Sequence, residues 1–188
     1  MKKKSSLLTL AFMTLSLSAC VQVTPELKQN NNQLAISSVR DLPISYPQGS
    51  VFSLSPKYVK ETSLKAEQTQ AVYQLYSKAI VDDLTNNGFV REEVAGRSVF
   101  YVGFGVALSD DFSDDKINDK FGVTPGLSEK SDLRKGSFLI YIDDAVTGQR
   151  VWRGIAQGFA NTELTLAQRK QRTAAVVANV MKQFYQTN

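Results

Sequence analysis

Gly136-Ser137-Phe138-Leu139-Ile140-Tyr141-Ile142-Asp143-Asp144-Ala145-Val146-Thr147-Gly148-Gln149-Arg150-Val151-Trp152-Arg153-Gly154-Ile155-Ala156 decides the fold. Phe138–Ile142 is apolar throughout, as a central strand should be. Asp143 to Gly148 is turn chemistry. Arg150–Ala156 then returns, and the two runs predict a hairpin with a loop of about five or six residues. Gly154, Ala156, Gly158 and Ala160 follow Trp152 on its own face. That row predicts a closely packed helix over it, or else a smooth surface awaiting a partner, with the packed core favoured.

Upstream lies a second clear strand, Ser98 to Leu108. Phe100, Val102, Phe104, Val106 and Leu108 line one face, and Tyr101, Gly103, Gly105 and Ala107 the other. Glycine weakens a strand, so two of them point to a bulge or a close approach. Gly103-Phe104-Gly105 is not a phosphate loop, since it lacks the later glycine and sits inside the strand. Ser50–Leu54 reads as a shorter first strand.

Two helices flank these strands. The first spans about Ala66 to Asn87, with Val72, Leu75, Tyr76, Ala79, Ile80 and Leu84 at three- and four-residue steps. Asn87-Gly88 ends it through a left-handed cap. Tyr73 and Tyr76 read as core or rim rather than as a ligand platform. The last helix starts at Thr165, where Thr165 and Gln168 form a capping box. Its stripe is Thr173, Val176, Val177, Val180, Met181 and Phe184, and Arg169, Lys170 and Arg172 read as a solvated face. The order strand, helix, three strands, helix predicts an α+β two-layer sandwich. Its sheet would be mostly antiparallel, of about four strands, with two helices on one face.

Ser109 to Lys135 is a long polar stretch, and loops of such length are usually functional or disordered. Asp110, Asp111, Asp114, Asp115 and Asp119 crowd its start. Hard cations take such oxygen clusters. The EF-hand glycine and terminal glutamate are missing, so a weak cation loop at Asp110, Asp111, Asp114 and Asp115 ranks below a solvated acidic loop. Ser113-Asp114-Asp115-Lys116 fits Ser-x-x-Lys, but its companion motifs are absent and no helix start is expected to present the serine.

The amino terminus carries its own signal. Lys2, Lys3 and Lys4 precede the apolar run Leu7–Leu17, and Leu17-Ser18-Ala19-Cys20 closes it. Eleven helical residues reach roughly 16 Å, about half a hydrocarbon core, so this run does not span a membrane. The pattern resembles the lipobox of bacterial lipoproteins. That resemblance implies cleavage before Cys20, diacylglycerol on its sulfur and acylation of the new amino terminus. Val21 follows the cysteine, where Asp resembles an inner-membrane retention signal, so the resemblance favours the periplasmic face of the outer membrane. The expected organisation is a signal peptide over 1–19, the lipidated cysteine and a flexible tether over 20–45, and a single domain over 46–188.

Composition excludes several chemistries. The chain has no histidine and one cysteine. That removes imidazole general bases and ligands, and with Cys20 committed to lipid it removes thiol nucleophiles, disulfides and zinc–thiolate sites. The 22 basic side chains lose Lys2, Lys3 and Lys4 with the leader, which leaves 19 against 18 acidic ones. A nearly neutral chain makes no electrostatic case for nucleic acid. No metal and no cofactor are expected.

These residues together resemble a family. A lipobox leads into a short strand, then a helix ending Leu84-(x)₃-Gly88-Phe89, an alternating strand and an apolar strand. Asp144-(x)₂-Thr147-Gly148-(x)₂-Val151-Trp152-Arg153-Gly154 follows, and then a closing helix. The whole, over about residues 45–186, looks like the DUF4136 family of bacterial lipoproteins. The resemblance implies no catalytic residues, because the family carries no assigned activity. The chain departs from the family pattern in its extended acidic 109–135 stretch.

The functional expectation is a non-enzymatic envelope lipoprotein. It would be held to a membrane through Cys20 and bind a periplasmic or outer-membrane protein near Tyr101, Trp152 and Arg153. A second expectation is a carboxylate-based cell-wall hydrolase, which needs two acids about 5–10 Å apart drawn from Asp110, Asp111, Asp143 and Asp144. A third, by analogy alone, is a structural activator of a peptidoglycan synthase.

Overall fold

The computed structural model describes residues 33–55, 63–93, 96–123 and 126–186. Its strands are β1 (Leu34–Arg40), β2 (Val51–Leu54), β3 (Val90–Arg91), β4 (Phe100–Leu108), β5 (Lys135–Asp144) and β6 (Arg150–Phe159). Its helices are α1 (Ala66–Asn86), α2 (Asp114–Phe121) and α3 (Leu166–Tyr185). All six strands join one sheet in the order β1-β6-β5-β4-β2-β3. β4, β5, β6 and β1 pair antiparallel, whereas β2 runs parallel to both β3 and β4. Parallel neighbours need a crossover, and α1 supplies it between β2 and β4.

The class is α+β, but the sheet has six strands and is mixed, and there are three helices rather than two. The two extra strands are β1 and β3. β1 falls inside the 20–45 stretch expected to be tether, so residues 34–40 are strand and not tether. Asp41 donates its backbone N–H to Val151, and the Arg40 guanidinium bonds the carbonyls of Ile44 and Phe184. Those bonds fasten the strand to β6 and to the end of α3.

Period-two alternation sorts the sheet into two unlike faces. On the first face lie Phe52, Phe100, Val102, Phe104, Phe138, Ile140, Ile142 and Trp152, all buried. Against them pack Tyr73, Ala79, Ile80 and Leu84 of α1 and Val177, Val180, Met181 and Phe184 of α3. Phe100 is in ring contact with Tyr46, Phe52, Phe89 and Phe184, and Phe184 also meets Trp152 at 5.6 Å. The two helices expected on one face are therefore there. Tyr73 and Tyr76 belong to this core, with Tyr73 against Phe104 and Tyr76 stacked 4.6 Å from Phe138. Burial pushes the Tyr76 hydroxyl up to about 12.

The small residues after Trp152 let α3 approach. A Cβ added at Gly154 would sit 2.6 Å from the Trp152 ring and 2.7 Å from Val180 Cγ1. On the opposite face Gly103 makes room for a ring, since a Cβ there would fall 2.0 Å from Tyr141 Cζ. Gly154→Ala should therefore cost about 1–3 kcal/mol through forced repacking of α3. Chemical denaturation checks it, and an unchanged midpoint would contradict the close approach.

Candidate functional site

The second face of the sheet is divided. One half is closed by residues 109–123 and 126–134, part of the 109–135 stretch expected to be a solvated acidic loop. They contain α2, and Phe112, Ile117 and Val123 bury themselves against Ala107, Leu139 and Ile155. Local sequence explains the helix: Ser113 caps it, Asp114 and Asp115 occupy its first turn, Lys120 its last, and Gly122 its left-handed end at φ 58°. A helix start is thus present at Ser113. Its hydroxyl accepts from the Lys116 backbone N–H at 3.4 Å, which is a cap's role.

A buried polar group ties this flap to the sheet. Lys135 is 3% exposed and its ammonium donates to Asp114 at 2.6 Å. Gln157, fully buried on β6, donates to Asp114 at 2.7 Å and to Ser137 at 3.0 Å, and it accepts from the Leu127 backbone N–H. Arg153 adds a second tie by donating to the Phe121 carbonyl at the end of α2 and to Asp41 at 2.9 Å. Buried charges persist only when paired and hydrogen-bonded, and here the pairing holds α2 down.

The acidic residues singled out from sequence do not gather. Asp110 pairs with Arg134 at 3.0 Å, Asp111 accepts from Ser63, and Asp114 takes Lys135. Among the described residues no three acids converge to hold a metal ion. Ser109, Asp110 and the 129–135 segment line an open depression of about 450 Å³ whose basic and acidic walls alternate. Asp143 and Asp144 are strand neighbours and so point to opposite faces. Asp143 bonds Arg150 on the second face, at 3.0 Å. Asp144 on the first face accepts from Tyr46 at 3.1 Å and from Thr147 at 2.8 Å. Asp110 lies beyond the far end of β4 from Asp143, roughly 25–30 Å away along the strand. That separation is several times what two-carboxylate chemistry uses.

Asp144 explains the Thr-Gly turn. Its Oδ1 accepts from the backbone N–H groups of Val146 and Thr147 and from the Thr147 hydroxyl, and Gly148 completes the turn at φ 68°. Those bonds, the Thr147 backbone N–H foremost, hold the Asp144 carboxyl below the usual carboxylate range.

Tyr101, Trp152 and Arg153 do not form one surface. Trp152 is core on the first face, beneath α3 and 1% exposed. Its placement follows from the glycine at 154, which draws the helix in. Arg153 is spent on the flap. Tyr101 alone remains on the open half of the second face, where sequence reasoning missed its companions. Val90 (49% exposed), Val99 (38%), Tyr101 (40%) and Val146 (88%) are four of the five exposed large apolar side chains described. Register brings them together. Val90 pairs with Val51 on β2, Ser53 pairs with Tyr101, and Val99 bonds both Val51 and Ala145 through its backbone. Val146 sits at the hairpin tip beside Ala145. The inner rim is polar: Arg150 stacks 3.9 Å from the Tyr141 ring centre and pairs with Asp143. Arg169 and Lys170 are exposed, as a solvated face requires, while Arg172 is half-buried. Arg169 also bonds the carbonyls of Leu164 and Thr162, and Arg172 that of Phe159, which lead into α3. Leu17, Ser18, Ala19 and Cys20 lie outside the described residues.

A mixed sheet with two helices on one face and a short flap on the other defines a compact α+β domain with an open apolar strip. The chain belongs to the DUF4136 family, a domain of unknown function whose model matches residues 44–184. A DUF4136 family protein from Bacteroides thetaiotaomicron is similar, with 12% identity, a TM-score of 0.50, and coverage of 82% of this chain and 97% of that one. A PDZ domain protein from Parabacteroides distasonis aligns over 81% of this chain and 36% of its own, with 11% identity and a TM-score of 0.52. PelC from Paraburkholderia phytofirmans resembles it more loosely, with 10% identity, coverage of 79% and 96%, and a TM-score of 0.46. At such identities the likeness concerns the fold alone. Among curated proteins no match is found.

Two outcomes follow from this geometry. Asp114→Ala should cost about 2–3 kcal/mol, somewhat under the value for breaking a fully buried pair, because the Asp114 side is half open. Lys135→Met should cost less, since Asp114 keeps Gln157 and water. Equal losses in denaturant titrations would contradict the flap's dependence on this ion pair. A depressed carboxyl stabilises fully above its unfolded value of about 3.9 and loses that contribution as pH falls through its lower folded value. Asp144→Ala should therefore flatten the acid limb of the stability–pH profile below about pH 4, and an unaltered limb would contradict the assigned bonds.

Proposed function

We propose that this protein is a lipid-anchored envelope component, held through Cys20 to the periplasmic face of the outer membrane, and that it works by binding another protein rather than by catalysis. The observation that carries the reading is the apolar strip of Val90, Val99, Tyr101 and Val146 on the open half of the second face. Scattered exposed apolar residues need no explanation, but contiguous ones rimmed by polar groups mark interaction sites. The lipobox supports the anchor. Among the described residues no helix is long and apolar enough to cross a membrane. Cleaved behind Ala19, the chain would hang by three acyl groups, and two already anchor stably. The dispersed carboxylates lend no support to the hydrolase reading.

Site-specific photocrosslinking in intact cells tests the binding role. A photoreactive residue at Tyr101 or Val99 should capture one enriched protein, and the same residue at exposed Ala178 on α3 should not. Val99→Asp, a surface change expected to move stability by no more than about 0.5 kcal/mol, should abolish the capture. Equal capture at all three positions would end the proposal for this strip. Cys20→Ala should move the chain from the membrane to the soluble fraction, and unchanged membrane retention would end the proposal for the anchor.

A further inference from the structure

We infer that the outer edge of β1 is a self-association edge, at which two copies of this chain join their sheets about a two-fold axis through Ser37. β1 stands last in the sheet order, so among the described residues it pairs only with β6. Proteins normally protect such edges with proline, a bulge, inward charge or brevity. Leu-Ala-Ile-Ser-Ser-Val-Arg has seven residues, no proline and no charge before Arg40, and it pairs with β6 without a register shift. The opposite edge differs sharply: β3 has two residues, one of them Arg91.

The direction of each backbone group on β1 follows from the ladder. Asp41 donates to Val151 and Ala160 donates to Arg134. In an antiparallel ladder the hydrogen-bonded pairs recur every second residue. Hence Ala35, Ser37 and Val39 spend their N–H and C=O groups on β6, opposite Gln157, Ile155 and Arg153. Leu34, Ile36, Ser38 and Arg40 aim theirs outward.

Those four positions are self-complementary. Antiparallel pairing centred on Ser37 sets Leu34 opposite Arg40 and Ile36 opposite Ser38 in each direction. Every outward N–H and C=O of both strands then finds a partner. Side-chain faces are conserved across the join: Leu34 and Ile36, already against the first core, stay on the helix-covered face. Ala35 meets Val39 on the second face, where Val39 already packs with the flap cluster. No two like charges oppose each other, since Arg40 faces Leu34 and its guanidinium is held by Ile44 and Phe184. Moving the centre one residue along would leave an outward position without an opposite number in β1, Leu34 when centred on Ser38 and Arg40 when centred on Ile36. Sliding one strand by a single residue against the other would set outward groups opposite inward-bonded ones.

Ser37 would meet its own copy as a non-hydrogen-bonded pair, with Cα atoms about 4.5 Å apart. That lies at the short end of the range a disulfide bridges. The test uses the full chain with Cys20→Ser, so that no other thiol is present. Ser37→Cys should then form a covalent dimer under mild oxidation, while the thiol of exposed Ala178→Cys should not. Without the added cysteine, the chain should sediment as a concentration-dependent dimer. Ser38→Pro removes an outward N–H and none of the bonds to β6, so it should give a monomer whose circular dichroism and unfolding midpoint match the parent. Should Ser38→Pro unfold, the Ser37→Cys crosslink still decides. A monomer at all accessible concentrations with no Ser37→Cys crosslink would overturn the inference. So would a dimer that crosslinks through Tyr101→Cys instead of Ser37→Cys, which would reassign self-association to the apolar strip. Edge capture of an extended peptide from another protein by a chain that stays monomeric would also overturn it. Loss of the Tyr101 photocrosslink leaves this result untouched, because Tyr101 lies on β4, three strands away from β1.

Discussion

The packing of α1 and α3 against one face of the sheet is the contact on which the rest depends. Phe100, Phe184 and Trp152 sit at its centre, and large side chains from β2, β4, β5 and β6 all point there. Strand alternation makes this costly on the other side: each large residue on one face leaves a neighbour for the reverse. β4 sends Tyr101, Gly103, Gly105 and Ala107 there, too little apolar mass to build a second core of equal size. The chain closes half of that face with an eight-residue helix and leaves the other half open.

The flap is held by polar groups as much as by apolar ones. Ile117 and Phe112 give it a small core, but the Asp114 contacts with Lys135 and Gln157 fix its register over β5 and β6. An ion pair of this kind stabilises little compared with an apolar replacement, and what it specifies is placement. Of the acids that suggested a cation loop, Asp110, Asp111 and Asp114 are thereby spent on arginine, serine, lysine and glutamine, and Asp115 sits in the first turn of α2. The open half has no such cover, and its valines and Tyr101 stay in water.

Periodicity made the large elements legible. β4, β5, β6, α1 and α3 each carry a repeat long enough to stand above composition, and the Asp144–Gly154 segment announced both the turn and the family. β1 was hidden because Leu34, Ile36 and Val39 share seven residues with two serines and follow a run of asparagine and glutamine. An edge strand pairs through its backbone, which leaves little trace in side-chain pattern. α2 was hidden by its two apolar residues among acids, although Ser113, the acidic first turn and Gly122 were signals that could have found it. Trp152 was misplaced as a surface candidate because sequence does not say whether a small-residue row faces helix or solvent. The apolar strip was invisible for a different reason. Val90, Val99 and Val146 lie on three separate segments. The parallel pairing of β2 with β3 and β4 relates the first two, and the antiparallel β4–β5 ladder, continued by the Ala145–Val99 bond, brings in the hairpin tip.

The division of the second face can be read most directly from methyl and ring protons in solution. Nuclear Overhauser contacts should link the Ile117 methyl groups to Leu139 and Ile155. A soluble paramagnetic agent should at the same time broaden Val99 and Tyr101 and spare Ile117. Broadening of Ile117 with no contact to Leu139 would mean that α2 does not cover the sheet, and the account of a half-closed, half-open face would fail.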